Sequence, residues 1–449
     1  MNRLLEYATN WNVFPASGNY CYLVNGGTSV AYLLLSQDTL ITLRTRGHWD
    51  YGGFIMAHVR SLFFNGPLNE VEDKSLAAFK KGRPSEVIWN ITNRCNLLCE
   101  HCYMSADGHA LPDQLTDEET IDLVNQMADA GVPLLFLTGG EPFMRPNFWE
   151  ILETASARGM RVTVSTNCTF IDRDVAKRLL ANGVGYIGTS LYGPAEFHDS
   201  LVKVPGTRDR VIESIKILRS EGVRVALKSA VSVDTWPHIY DLIQEAKDLD
   251  CGLIYLCDLI TSGRSEGEAD GRITADQWRE LAAFIADDIT DPNSTLEYDI
   301  GAMPSFIPYV AELLIAKGYD LSRGLERLKI MSACPVGKGH MNINSEGGVM
   351  PCQFAQDWTV GNLRDMTIVE ATRELFKLAE GETTGACSSE NCEYVQICRG
   401  CRTKAWHEFG DPFAEDTTCI LHASGDRAPL AERINAKRAA VPCGGPTCG

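Results

Sequence analysis

Cys95-Asn-Leu-Leu-Cys99-Glu-His-Cys102 brings three thiols together in the spacing Cys-x3-Cys-x2-Cys. Their thiolates can occupy three corners of a [4Fe–4S] cube and leave one iron open, because no further cysteine follows until Cys168. Structural zinc takes four closed ligands, so the same spacing argues against a zinc knuckle.

Short Val/Ile/Leu-rich runs lie on either side of this triplet and alternate with longer amphipathic stretches. The pattern predicts strands over 87–92, 134–138, 161–166, 186–191, 224–230 and 252–256. Helices are expected to begin near Thr116, Asn147, Arg173, Thr207 and Trp236. Six such repeats indicate a parallel α/β sheet, open or curled into a partial barrel. In sheets of this kind reactive residues sit on loops after the C-terminal ends of the strands. The cysteine triplet lies just after the first strand. After the second comes Thr138-Gly-Gly-Glu-Pro-Phe143, where two glycines would let the backbone approach a ligand and Glu141 would offer a carboxylate to an ammonium group.

Upstream, Asn19-Tyr-Cys-Tyr-Leu-Val-Asn25-Gly-Gly-Thr-Ser-Val-Ala-Tyr reads as a hairpin around an Asn-Gly turn. An amphipathic segment over 54–64 and the linker Lys80-Lys-Gly-Arg-Pro84 lead into the α/β repeats. This N-terminal part is either a cap over one end of the barrel or a substrate-docking module. Between 258 and 332 the pattern is helical, with helices expected over 275–288 and 306–317. Beyond Cys334 the chain becomes cysteine-dense, with short strands expected over 340–344 and 348–351.

Composition sets outer bounds. With 449 residues, 45% hydrophobic and 22% charged, the chain can bury substantial cores across two or three domains. A formal charge of −18 argues against a nucleic-acid surface, which needs clustered Lys and Arg. The sequence contains no apolar membrane-spanning run and no secretory pattern at Met1, so the expected compartment is the cytoplasm, with no membrane partner. Sixteen cysteines in such a chain point to metal or redox chemistry rather than disulfides. Cys21, Cys168, Cys251 and Cys257 read as buried apolar residues, while Cys443 and Cys448 sit in a glycine-rich tail as a redox pair or a cluster ligand.

The triplet after one strand and Gly-Gly-Glu-Pro after the next resemble the radical S-adenosylmethionine (SAM) superfamily over residues 86 to 425. The resemblance implies a partial (β/α)6 TIM-like barrel in which Cys95, Cys99 and Cys102 bind the SAM cluster, with His101 at the family's aromatic position. It places Gly139, Gly140, Glu141 and Pro142 at the SAM amino group, and Ser165, Asn167, Ser190 and Lys228 around its ribose and carboxylate. In that family, reductive cleavage of SAM yields a 5′-deoxyadenosyl radical that abstracts hydrogen from the substrate.

The C-terminal region is similar to the twin-cluster extension called SPASM. Cys334-x12-Gly347-x4-Cys352 is followed by Cys387-x4-Cys392-x5-Cys398-x2-Cys401 and then Cys419. The first and third gaps of the second group, four and two residues, depart from the family's usual two and three. The resemblance assigns Cys334, Cys352 and Cys401 to one auxiliary [4Fe–4S] cluster and Cys387, Cys392, Cys398 and Cys419 to the other. The first set lacks a fourth cysteine, and His340 or a tail cysteine is a candidate to complete it.

The expected domains are 1–84 accessory, 85–310 radical SAM core, 311–425 SPASM and 426–449 tail. The first substrate reading is a ribosomally made peptide whose leader adds a strand to an edge of the hairpin. Leu259-Ile-Thr-Ser-Gly-Arg264 and Val360-Gly-Asn-Leu-Arg-Asp365 also look like heme-pathway members that trim tetrapyrrole side chains. A non-catalytic iron–sulfur electron carrier is the alternative from another class. The enzyme readings call for an external flavodoxin- or ferredoxin-like reductant.

Overall fold

The computed structural model describes residues 11–15, 20–25, 29–34, 44–46, 58–64, 70–267 and 269–421. The chain divides into two compact units, residues 1–51 and 52–449. The first holds β1 (Trp11–Pro15), β2 (Tyr20–Asn25), β3 (Ser29–Leu34) and β4 (Arg44–Arg46) in one antiparallel sheet, in chain order. The expected hairpin is β2 paired with β3, with Asn25 opposite Ser29 and the turn residues outside the described ones. Its two strands are the inner pair, however, so among the described residues the outer strands of this sheet are β1 and β4 and not the hairpin itself. Cys21 lies in β2.

The second unit is built on a ten-stranded sheet. β5 (Glu86–Asn90), β6 (Leu134–Thr138), β7 (Arg161–Ser165), β8 (Ile187–Ser190), β9 (Val225–Val231), β10 (Leu253–Asp258) and β11 (Glu297–Gly301) are parallel neighbours in sequence order. β12 (His340–Ile343) joins β5 in parallel, and β13 (Gly348–Met350) and β14 (Gly361–Asn362) extend the sheet antiparallel. The six strands read from sequence are present, and β11 adds a seventh inside a stretch expected to be helical. Its Glu297 and Asp299 disguise it. Glu297 accepts the backbone N–H groups of Arg60 and Ser61 at 2.7 and 3.0 Å, at the start of the helix Val59–Phe64, so its charge serves as a helix cap.

Alternation along the strands separates two faces. Val87, Trp89, Leu135, Leu137, Val162, Val164 and Leu227 pack into the main core beneath the helices. Thr138, Ser165, Ser190, Lys228, Tyr255 and Cys257 point the other way and line a cavity at the C-terminal ends of the strands. Helix starts follow their capping chemistry. Thr116 and Glu119 form a reciprocal capping box before Asp117–Asp129, as Thr274 and Gln277 do before Ala275–Thr290. The stretch at Trp236 opens with a 3-10 turn and continues as the helix Ile239–Asp248. The short helix Ala195–Val202 was not anticipated from sequence.

Helix Arg402–Phe409 of the cysteine-dense region is fastened by two buried ion pairs, Lys404 with Asp258 at the end of β10 and Glu408 with Arg272 in the segment before Ala275–Thr290. Among the described residues, no helix is long and apolar enough to cross a membrane.

Candidate functional site

Three elements hold the cysteine loop in place. The chain leaving β5 runs beside the loop after β6, with Gly140 N donating to Thr92 O at 2.9 Å and Glu141 N to Arg94 O at 2.7 Å. A Cβ on Gly139 would lie 2.4 Å from Thr92 O, and one on Gly140 2.4 Å from Arg94 O. The glycine pair is therefore required by this backbone-to-backbone approach, not only by approach to a ligand. The unanticipated helix Ala195–Val202 offers its last carbonyls, Val202 O and Leu201 O, to Leu98 N and Glu100 N at 3.1 and 3.0 Å. From the loop after β10, Arg264 donates through Nε to Cys99 O at 2.7 Å and through Nη1 to Ala106 O at 2.8 Å. Gly263, at a φ of 59°, lets that loop approach Cys102 O so closely that a Cβ would come within 2.4 Å.

Cys95, Cys99 and Cys102 line one cavity of about 240 Å³ together with Gly139 and Gly140. Ser165, Asn167, Ser190 and Lys228 complete its wall from the ends of the next strands. Leu97 N and Asn167 Nδ2 both point at Cys95 Sγ, at 3.5 and 3.9 Å. Burial pushes the Cys95 thiol up to about 11 and that of Cys99 to about 12, so both stay protonated until a metal takes the proton's place. Among the described residues no three His, Cys, Asp or Glu side chains converge on a single-ion site.

Glu141 and Pro142 differ from the sequence expectation. Glu141 is fully buried and its carboxylate accepts from Thr166 Oγ1, Asn167 N and Phe143 N, at 2.8 to 3.1 Å. It is thus turned into the protein rather than toward an ammonium group in the cavity. Burial raises its pKa to about 7 against the pull of those donors. Pro142 is buried at the first position of a 3-10 turn, where its missing N–H costs nothing. Lys228 does face the cavity and donates to Ser165 Oγ; burial lowers its pKa to about 8, with Asp299 opposing.

Sequence reasoning missed several residues of this wall. Tyr103 donates to Asn90 Oδ1 at 3.1 Å and meets the Phe354 ring edge-on at 5.1 Å between centroids. Gln353 and Phe354 directly follow Cys352 and line the same cavity, which brings the cysteine-dense region to its edge. Their position next to a cysteine was the available signal. Cys257, expected to be a plain apolar residue, is buried but also lines the cavity beside Tyr255, whereas Cys168 and Cys251 are core residues. His340 Nδ1 lies 2.6 Å from Glu86, at the N-terminal end of β5 and so at the opposite end of the sheet from the cysteine loop. Its Nδ1 is thereby engaged by a carboxylate. Cys443 and Cys448 lie outside the described residues.

The downstream cysteines form two groups. Cys334, Cys352 and Cys401 are electrostatic neighbours, and burial pushes the Cys352 and Cys401 thiols up. Cys387, Cys392, Cys398 and Cys419 line a second, small pocket. Backbone N–H groups point at sulfur here as well, Gly400 N to Cys398 Sγ at 3.4 Å and Asp416 N to Cys387 Sγ at 3.3 Å. Donors aimed at thiolates are what iron–sulfur sites use to stabilise charge on sulfur.

Residues 89–248 match the radical SAM superfamily, and residues 334–402 match an iron–sulfur cluster-binding domain, SPASM. An AdoMet-dependent heme synthase of Nitratidesulfovibrio vulgaris is 28% identical over 340 residues, covering 74% of this chain and 91% of the relative. The mycofactocin maturase MftC of Mycolicibacterium smegmatis is 28% identical over 373 residues, covering 80% and 88%. In fold, the chain is similar to Streptococcus suis SuiB bound to its precursor peptide SuiA, with a TM-score of 0.61 at 18% identity over 80% of this chain and 83% of that one. Cofactors of such proteins are SAM and a [4Fe–4S] cluster, with auxiliary iron–sulfur clusters in SPASM. The chain is an enzyme of the radical SAM superfamily with a C-terminal SPASM domain.

Proposed function

We propose that Cys95, Cys99 and Cys102 hold the SAM-binding cluster, with Gly139, Gly140, Ser165, Asn167, Ser190 and Lys228 seating SAM beside it, and that the substrate is a ribosomally made peptide. The observation that carries the catalytic reading is a single cavity shared by the three thiols, the glycine loop and the strand-end polar groups. When bound, SAM and the reduced cluster supply a 5′-deoxyadenosyl radical that takes a hydrogen atom from substrate.

The protein's own residues orient and enclose. Glu141 and Pro142 shape the glycine loop from behind. Arg264 holds the cysteine loop through its carbonyls. Tyr103, Tyr255 and Phe354 keep the cavity wall aromatic, which helps exclude water from a reactive species. Lys228 offers a desolvated ammonium for a carboxylate. Cys334, Cys352 and Cys401 hold one auxiliary cluster and Cys387, Cys392, Cys398 and Cys419 the other, with a flavodoxin- or ferredoxin-like protein as reductant.

The likeness to the mycofactocin maturase MftC and the fold shared with SuiB, bound to its precursor peptide SuiA, support a peptide. Among the described residues, the outer strands of the N-terminal sheet, β1 and β4, offer backbone groups to a leader strand. A second reading, tetrapyrrole side-chain modification, is favoured by the heme synthase relatives.

Dithionite-reduced, reconstituted protein is expected to convert SAM to 5′-deoxyadenosine, and Cys99→Ala is not; absence of cleavage in the parent favours an electron carrier. Mass spectrometry after incubation with Fe-coproporphyrin III, in parallel with a short Cys- or aromatic-rich peptide encoded beside the enzyme, separates the two substrates. Turnover of the porphyrin alone would overturn the peptide reading.

A further inference from the structure

Asp416 touches both auxiliary cysteine groups. Its backbone N–H donates to Cys387 Sγ at 3.3 Å, and its Oδ2 accepts from the backbone N–H of Cys401 at 2.7 Å. Its other oxygen accepts from Thr418 N and Oγ1 at 3.0 and 2.8 Å, one residue before Cys419. The Thr418 hydroxyl in turn accepts from Lys404 Nζ at 2.8 Å, and Lys404 is ion-paired with Asp258, which lines the main cavity. The Lys404 and Asp258 side chains are 0% and 1% exposed, and Asp416 is also fully buried.

Nothing in the ligand sets requires these groups. Burying an ammonium against a carboxylate is costly unless the geometry is good, and replacing such a pair with apolar residues is often neutral for stability. Burial opposes the charge on Lys404, yet Asp258 and Asp416 outweigh it and hold its pKa above the usual lysine value. Asp416 is likewise held below the usual carboxylate range, with Lys404 and the Cys401 N–H overcoming burial. Both groups are held by geometry, Lys404 by Asp258 and Thr418 and Asp416 by the backbone N–H of Cys401 and by Thr418. In a medium of low dielectric a fixed charge acts strongly on a neighbouring redox centre, whose potential depends on local charge and on hydrogen bonds to sulfur.

We propose that Lys404 and Asp416 form a charge junction beside the two auxiliary clusters and act on their reduction potentials in opposite senses, the lysine favouring the reduced state and the aspartate opposing it. This rests on the assignment of the seven cysteines to two clusters. Lys404 and Asp416 are positioning residues in this role: they tune the clusters and do not ligate iron.

The test is an EPR-monitored redox titration of the anaerobically reconstituted full chain, with iron content measured alongside. Lys404→Met is expected to shift the potential of the cluster at Cys401 downward, and Lys404→Arg to leave it near the parent value. Asp416→Asn, which keeps an oxygen for the Cys401 amide, is expected to shift both auxiliary potentials upward. For Asp416→Asn the cluster at Cys95, Cys99 and Cys102 serves as the internal reference. If Lys404→Met fails to retain iron, Asp416→Asn carries the same test. Parent protein with only about four irons per chain would sink the two-cluster assignment. Full iron with unmoved potentials in Lys404→Met and Asp416→Asn would overturn the junction and leave that assignment standing.

Discussion

Thr166 donates its hydroxyl to the buried carboxylate of Glu141, 2.8 and 2.9 Å from its two oxygens, and so joins the loop after β6 to the end of β7. The next residue, Asn167, adds its backbone N–H to the same carboxylate at 2.8 Å and extends its side chain toward Cys95 Sγ. One buried acid thereby orients two walls of the cavity that the three cysteines line.

Thr166→Val removes this hydroxyl at nearly constant volume. A buried hydrogen bond to a charged group is worth about 1.5–3 kcal/mol, so KM for SAM should rise roughly tenfold while iron content stays at the parent level. Steady-state 5′-deoxyadenosine formation measures it. An unchanged KM would mean that the Glu141 contact serves stability alone.

Gly140→Ala places a methyl where Arg94 O already sits, 2.4 Å away, and must separate the two loops. A displacement near 1 Å can cost about a hundredfold in rate, so SAM cleavage should fall by roughly two orders of magnitude. Retained iron with lost cleavage is the expected pattern, and parental activity would count against the backbone packing described.

Arg264→Lys keeps the charge but loses the fork that reaches Cys99 O and Ala106 O together. The cysteine loop should loosen, seen as faster loss of the SAM-cluster EPR signal under a chelator, with the auxiliary signals unaffected. Equal chelation rates in variant and parent would contradict this role.

Glu119 and Arg364 form a two-pronged ion pair at 2.6 and 2.9 Å, and Glu119 also caps the helix at Thr116. Hydrogen bonds from Arg364 and Thr116 lower the Glu119 pKa to about 2, so it contributes stability above its unfolded value of 4.5 and loses it as pH falls toward 2. Arg364→Met should lower Tm at pH 7 by a small amount. The gap to the parent should narrow once the pH drops below about 4.5 and shrink in high salt, since both side chains are partly exposed. Differential scanning fluorimetry across pH decides it, and a gap that widens in acid would refute the assignment.

Spacing and periodicity alone determined the cysteine triplet, the glycine loop one strand later and six of the seven strands from β5 to β11. These features are local, because a strand–loop–helix repeat places each loop at the same end of the sheet whatever the rest of the chain does. Tertiary structure decided what sequence spacing could not express. Glu141 faces Thr166 instead of the cavity because a loop can turn either side of a residue inward. β11 hides its strand character behind Glu297, whose charge is satisfied by helix N–H groups 236 and 237 residues away in the chain. Arg264 holds carbonyls from a loop more than 150 residues earlier, and Lys404 meets Asp258 across 146 residues. Such partners are set by which strand ends the sheet brings together, and no local pattern records that.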